Sequence, residues 1–203
     1  MSARSSLIGP ALLALVVSVG AAYLALRSSN RVPQGADDMP TFSDFELQSG
    51  TSNVRLSDFK NEVVVVYFGY ASCPDICPTT LSTVGSAFKL LQPAQLERVR
   101  GLFVSVDPER DPPAHAQQYA AFFHPRIVGG TSEPEAVATI AHDWGVAYDR
   151  AEGASEGMGY TVDHTSILFL VAPDGRMKKA VPHGTTPAAL AEAIVEVMGT
   201  AGS

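Results

Sequence analysis

The chain has 203 residues, carries a net charge of −7 and is 46% hydrophobic, with no basic run anywhere along it. Nucleic acid is therefore not an expected partner, because binding a polyanion needs a positive footprint. The length left after a leading apolar segment suits one domain with its own core.

Leu7–Leu26, LIGPALLALVVSVGAAYLAL, is uncharged and long enough to span a bilayer as a helix. A membrane anchor over residues 1–27 is favoured. The alternatives are a cleaved signal peptide, for which Val19-Gly20-Ala21 offers a small-residue cleavage pattern, and a buried helix. Arg4 on one side and Arg27 and Arg31 on the other set the orientation only weakly. Ser28–Pro40 is polar, with prolines, glycine and paired aspartates, and reads as a linker to a domain over residues 41–203.

Phe42, Phe45 and Leu47, a turn at Gln48-Ser49-Gly50, and Val54-Arg55-Leu56 outline a short hairpin. Asp58–Asn61 turns the chain into Val63–Gly69, VVVVYFG. Its β-branched and aromatic residues, without alternation, suit a strand buried on both faces. Cys73-Pro-Asp-Ile-Cys77-Pro follows, then a segment with Leu81, Val84, Phe88 and Leu91 at helical spacing. Pro78 lacks an N–H and suits the first helical position, which puts Cys77 at the N-cap and Cys73 in the loop before it. The partial positive charge of a helix N-terminus lowers the pKa of a nearby thiol.

Pro93–Arg100 is a connection with a helical turn, Gly101–Val106 a second buried strand, and Asp107–Pro113 a rigid, acidic, proline-rich loop. A helix over Ala114–Phe123 follows, then a third strand at Arg126–Gly129. Ser132 and Glu135 form a capping-box pattern before a helix that Gly145 stops. Tyr148–Tyr160, rich in glycine and acid, reads as a mobile loop. Thr165–Val171 and Met177–Val181 are the arms of a hairpin turned by Pro173–Arg176. Thr186–Met198 closes the domain as a helix with Leu190, Ile194 and Val197 on one face. Helix-bearing crossovers between buried strands, then a hairpin and a helix, give an α/β fold of the thioredoxin type.

The two cysteines admit four readings. Inert buried thiols do not suit a turn rich in Pro, Ser and Asp, and a structural disulfide closing so short a loop adds little stability. A redox dithiol and a metal site remain. The spacing is neither C-x-x-C nor C-x-x-C-H, so the common oxidoreductase motif and covalent haem attachment are both absent. A metal site needs a third ligand, and His164 stands out among the five histidines, at the mouth of a strand entering the same sheet. Two thiolates and an imidazole form a soft set suited to Cu(I), with a Cu(II) state also open. Structural zinc would want a fourth protein ligand. His115, His124, His142 and His183 read as structural or solvent-facing. Met158 is a weak candidate for a labile ligand, Asp75 is exposed or offers charge to a partner, and Asp163 either orients His164 or forms a turn. The cysteine pair argues for an oxidising, extracytoplasmic domain.

GYASCPDICPTTL, then SVDPERD, then YTVDHTS followed by an apolar strand and Pro-Asp-Gly, resemble the Sco/SenC family in that order, over about Phe42 to Met198. Ala71-Ser72 stands where that family often has Thr-His, and Gly129-Gly130-Thr-Ser replaces a more usual Gly-Leu-Thr-Gly; neither removes a ligand. The resemblance implies a thioredoxin-like domain behind a single N-terminal transmembrane helix, in the bacterial inner membrane with the domain in the periplasm. It implies copper held by Cys73, Cys77 and His164, with a copper donor protein and cytochrome c oxidase subunit II, whose dinuclear copper site is assembled, as partners. An assembly protein is then expected rather than a turnover enzyme, with the Tyr148–Tyr160 loop as the element that moves. The alternative is a thiol–disulfide reductase that uses Cys73 and Cys77 as a redox dithiol and keeps the oxidase cysteines reduced. A peroxidase-like thiol enzyme is disfavoured, since no Arg or Thr constellation surrounds a single cysteine.

Overall fold

A computed structural model describes residues 43–152 and 160–199. The apolar segment 7–26, the linker 28–40 and Met158 lie outside them. Among the described residues, no helix is long and apolar enough to cross a membrane.

The domain begins with a hairpin of β1 (Glu46–Ser49) and β2 (Ser52–Arg55), turned at Gly50, and a 3-10 turn at Leu56–Phe59. Asn61 takes φ 72°, a left-handed conformation that Asn tolerates, and steers the chain into β3 (Val63–Gly69), all seven residues of which are buried. Helix α1 (Ile76–Leu90) and the single turn α2 (Pro93–Leu96) lead to β4 (Val99–Ser105). Helix α3 (Pro113–Phe123) leads to β5 (Ile127–Gly130), and α4 (Pro134–Asp143) ends at Gly145, which has φ 63°. Then come β6 (Tyr148–Glu152), β7 (Tyr160–His164), β8 (Ile167–Val171), β9 (Met177–Pro182) and α5 (Pro187–Gly199).

The main sheet runs β5-β4-β3-β8-β9, parallel through β5, β4 and β3 and antiparallel through β8 and β9. This is the thioredoxin-like α/β arrangement that the buried strands and crossovers imply. Side chains of β3 alternate between the two faces. Tyr67 and its neighbour Phe103 face Tyr119 of α3. Phe68, on the other face, packs with Trp144 and Phe169, and Phe45 closes edge-on against the same indole. The parallel strands end together, so the segments leaving β3 and β4 emerge along one edge, where a ligand site is expected in an open α/β sheet.

Two glycines let neighbouring backbones touch. A Cβ at Gly129 would run into the Ala116 carbonyl of α3, and one at Gly130 would lie 2.7 Å from the Gln48 carbonyl oxygen. The second approach allows Gln48 and Thr131 to exchange backbone hydrogen bonds of 2.7 and 3.1 Å, joining the first hairpin to the sheet edge.

Three expectations need correction. Helix α1 starts at Ile76, so Cys77 is the second helical residue and Pro78 the third. The first-turn N–H groups have no helical partner, so proline is tolerated at each of those positions, not only the first. Helix α4 is entered through Glu133 with Pro134 first and without a side-chain cap bond; Ser132 and Glu135 form no capping box. The loop expected over Tyr148–Tyr160 is a hairpin at both ends, with Tyr148 opposite His164 and Glu152 opposite Tyr160.

Gly129→Ala is expected to lower the unfolding free energy by about 1–3 kcal/mol through overpacking. Gly145→Ala, where nothing lies within 4 Å, should cost about 1–2 kcal/mol from backbone strain alone. Urea unfolding checks both, and an unchanged midpoint for Gly129→Ala would refute the close approach of α3.

Candidate metal centre

The segment after β3 is fixed at several points before it reaches the cysteines. Tyr70 is buried, the Ala71 N–H donates to the Asp111 carboxylate at 2.7 Å, and the Cys73 N–H donates to the Tyr70 carbonyl at 3.3 Å. Cys73 is half-buried, whereas Cys77 on the first turn of α1 has no exposed surface. The Cys77 N–H points at Cys73 Sγ, 3.4 Å away, as a free N–H at a helix start should.

His164, the last residue of β7, brings Nε2 to 3.2 Å from Cys77 Sγ. The two sulfurs and an imidazole nitrogen all lie within 4.8 Å of one another, the only such group among the described residues. His164 Nδ1 lies 3.2 Å from the Thr165 carbonyl. A carbonyl only accepts, so in the neutral ring this contact places the proton on Nδ1 and leaves the Nε2 lone pair facing the sulfurs. The rings of Tyr67 and Tyr70 stand edge-on to the imidazole, each with its centroid at 6.0 Å.

A family model described as SCO1/SenC matches residues 34–199. The chain belongs to the SCO1/SenC family. A SCO2-like protein of Rickettsia conorii is 30% identical over 175 residues, covering 82% of this chain and 85% of the relative. Apo Sco1 from Thermus thermophilus is 40% identical in sequence, with a TM-score of 0.68 over 79% of this chain and 92% of that one. ScoI of Arabidopsis thaliana, solved with copper bound, is 28% identical, with a TM-score of 0.73 over 79% of this chain and 99% of that one.

In this SCO1/SenC chain the remaining candidates do not join the cluster of two sulfurs and an imidazole, although Asp75 and Asp163 line the groove beside it. Asp163 is exposed and sits in a strand opposite Asp149, not in a turn; the group facing His164 Nδ1 is the Thr165 carbonyl. Asp75 precedes α1 without capping it. His183 reaches Thr80 at 2.9 Å, His115 sits 3.4 Å from Asp111, His124 is buried against Phe88, and His142 is exposed.

Gly69 matters more to the site than its place at the end of a strand indicates. A Cβ there would lie 2.9 Å from Cys77 Sγ, 3.1 Å from Tyr67 and 3.2 Å from Phe103. The missing side chain is the space that the buried sulfur occupies. In the sequence, a glycine closing an apolar run and followed by a cysteine loop is the only trace of this.

The two thiols are unequal. The adjacent Cys77 thiol, with the N–H groups of Cys77 and Asp75, holds Cys73 well below the ordinary thiol value, against the opposing effect of its burial. The Cys73 sulfur beside it and burial push Cys77 up. The opposite directions of the two shifts favour Cys73 over Cys77 as the thiolate of the pair. Iodoacetamide should therefore modify Cys73 before Cys77. The lowered value keeps Cys73 ionised through the mildly acidic range, so its rate should stay nearly flat from about pH 5 to 8, where an ordinary thiol accelerates about tenfold per unit. Mass spectrometry of the alkylated peptides checks both statements, and a rate that climbs like a free thiol's would refute Cys73 as the thiolate of the pair.

Proposed function

We propose that this protein binds copper through Cys73, Cys77 and His164 and delivers it for assembly of the dinuclear copper site of cytochrome c oxidase subunit II. The observation carrying this reading is the convergence of two thiol sulfurs and one imidazole nitrogen within 4.8 Å at the carboxyl edge of the sheet. Family membership and the copper held by the Arabidopsis thaliana relative support it. Soft thiolates suit Cu(I), and the imidazole gives the set access to Cu(II). A copper donor protein would load the site. The apolar segment 7–26 would anchor the chain in the bacterial inner membrane, and residues 28–40 would hold the domain, residues 41–203, on the periplasmic side.

Copper is the cargo, so the site must release it. Cys73 is the open side: it lines a groove with Ile76, Val162, His164 and Ser166, and Ile76 is exposed. Transfer would begin when an incoming thiolate forms a bond to copper and the Cys73 sulfur–copper bond breaks. Buried Cys77 would be the last donor to let go.

A thiol–disulfide reductase is the second reading, and the ionised, half-exposed Cys73 beside Cys77 favours it. It needs both cysteines but not His164. The deciding experiment loads the reduced protein with Cu(I) anaerobically and measures stoichiometry and X-ray absorption. A single copper per chain with sulfur and nitrogen neighbours is expected. H164A should lose the nitrogen neighbour and bind more weakly, while C73A and C77A should lose stable binding. Unchanged Cu(I) affinity in C73A would refute the ligand set. A protein without stable copper whose dithiol cycles readily, in H164A as in wild type, would establish the reductase.

A further inference from the structure

The loop Asp107–Asp111, carrying the sequence Asp-Pro-Glu-Arg-Asp, has no part in holding the metal, yet it touches both segments that supply donors. Toward the cysteines, buried Asp111 accepts the Ala71 N–H at 2.7 Å and the Ser105 hydroxyl, which ties the cysteine segment to the end of β4. Toward the histidine, the Tyr160 phenol donates to Asp107 Oδ1 at 2.6 Å, and Arg110 Nη1 donates to the Tyr160 carbonyl at 2.8 Å. The Arg110 guanidinium also pairs with the Asp107 carboxylate and lies 3.7 Å from the centroid of the Tyr160 ring. From the neighbouring strand, Arg150 lies over the same ring and pairs with Glu109 at 2.8 Å.

Tyr160 opens the strand that ends in His164. That strand pairs with β6 in a two-stranded sheet separate from the five-stranded one, so the main-sheet ladder does not hold it. Its His164 end continues through Thr165 and Ser166 into β8 and Val162 is buried in its middle, so it is the far end, at Tyr160, that side chains attach. Charge-assisted hydrogen bonds and a cation over an aromatic face are among the stronger contacts available for this. A guanidinium fork serves the Asp107 carboxylate and the Tyr160 carbonyl at once, which a lysine ammonium matches poorly.

We propose that Arg110 and Asp107 are positioning residues that latch Tyr160 and thereby seat His164 against the two sulfurs, so that the latch sets whether the cargo is held by three donors or two. The inference rests on the copper reading given above, but the latch itself is a property of the metal-free protein.

The test compares full-length wild type, R110Q, H164A and R126Q, the last altering an ion pair with Glu62 at the opposite edge of the sheet. Cu(I)-loaded R110Q should keep a single copper and its sulfur neighbours but lose the nitrogen neighbour, as H164A does. Its Cu(I) affinity should fall about tenfold, the lower end of what losing an orienting partner costs. R126Q should keep the wild-type absorption spectrum. An R110Q protein that retains the nitrogen neighbour and wild-type affinity overturns the proposal. If R110Q does not fold, Tyr160→Phe, which removes only the phenol donor to Asp107, should weaken the nitrogen signal, and an unaltered signal overturns the proposal equally. If wild type binds no copper, the copper reading fails, and proton NMR of the reduced metal-free protein still decides the latch. Cross-peaks between the His164 and Tyr70 rings should be present in wild type and lost in R110Q; their persistence in R110Q overturns it.

Discussion

The contact between Cys77 Sγ and His164 Nε2, 3.2 Å across 87 positions of chain, is what the rest of the site is arranged around. Cys77 cannot move to meet a partner. Its sulfur fills the space left by the absent Cβ of Gly69, against Tyr67 and Phe103, and its backbone belongs to a helix packed on the sheet. The histidine must come to the sulfur, and it arrives on a hairpin outside the main sheet. The immovable donor is therefore built on the core, and the adjustable donor on an appended element. On the copper reading proposed above, this division suits a site that must both hold its cargo and let it go.

Much of this was legible in the sequence, for identifiable reasons. The valine run of Val63–Val66 has no alternation because both of its faces are covered, and that alone placed the cysteines at the carboxyl edge of a central strand. Pro113 opens a helix because its fixed φ suits the first turn and its missing N–H would have no partner there, while Gly145 stops a helix and Gly175 turns a hairpin in a left-handed conformation that other residues adopt poorly. His164 could be selected because a thiol pair asks for a third donor, but its approach to Cys77 depends on a hairpin that composition disguised. The glycines and acids between Tyr148 and Tyr160 outweighed the strand-forming residues at its ends.

The loop Asp107–Asp111 was the least legible part. A rigid, acidic, proline-rich loop gives no sign of burial, yet Asp107 is 1% and Asp111 0% exposed. What buries them is tertiary. Arg110 folds back on Asp107, and the Ala71 N–H from another segment arrives at Asp111. No local pattern encodes the position of an N–H forty residues away. The nearest sequence signal is an arginine placed between the two acids, where it can neutralise only one of them.

The placement of charge separates the two edges of the sheet. At the amino edge, Glu62 joins Arg100 of β4 and Arg126, which precedes β5 and also donates to the Val99 and Glu97 carbonyls. These groups are partly exposed, and the cluster ties the strand ends without burying an unmatched charge. At the carboxyl edge the arrangement is costlier. Among the described residues the one basic side chain paired with Asp111 is His115, at 3.4 Å, and Asp111 Oδ1 finds no hydrogen bond; burial raises the Asp111 pKa. Desolvation makes such a carboxyl a poor source of stability, and an apolar replacement of similar volume often costs little or even stabilises. What an apolar side chain cannot do is accept the Ala71 N–H and the Ser105 hydroxyl together, and so fix the chain that carries Cys73 relative to β4. Stability and geometric definition thus pull in opposite directions at this edge, and the buried carboxylates show which one the fold has kept. The cost is borne where the segment carrying Cys73 must be fixed relative to β4.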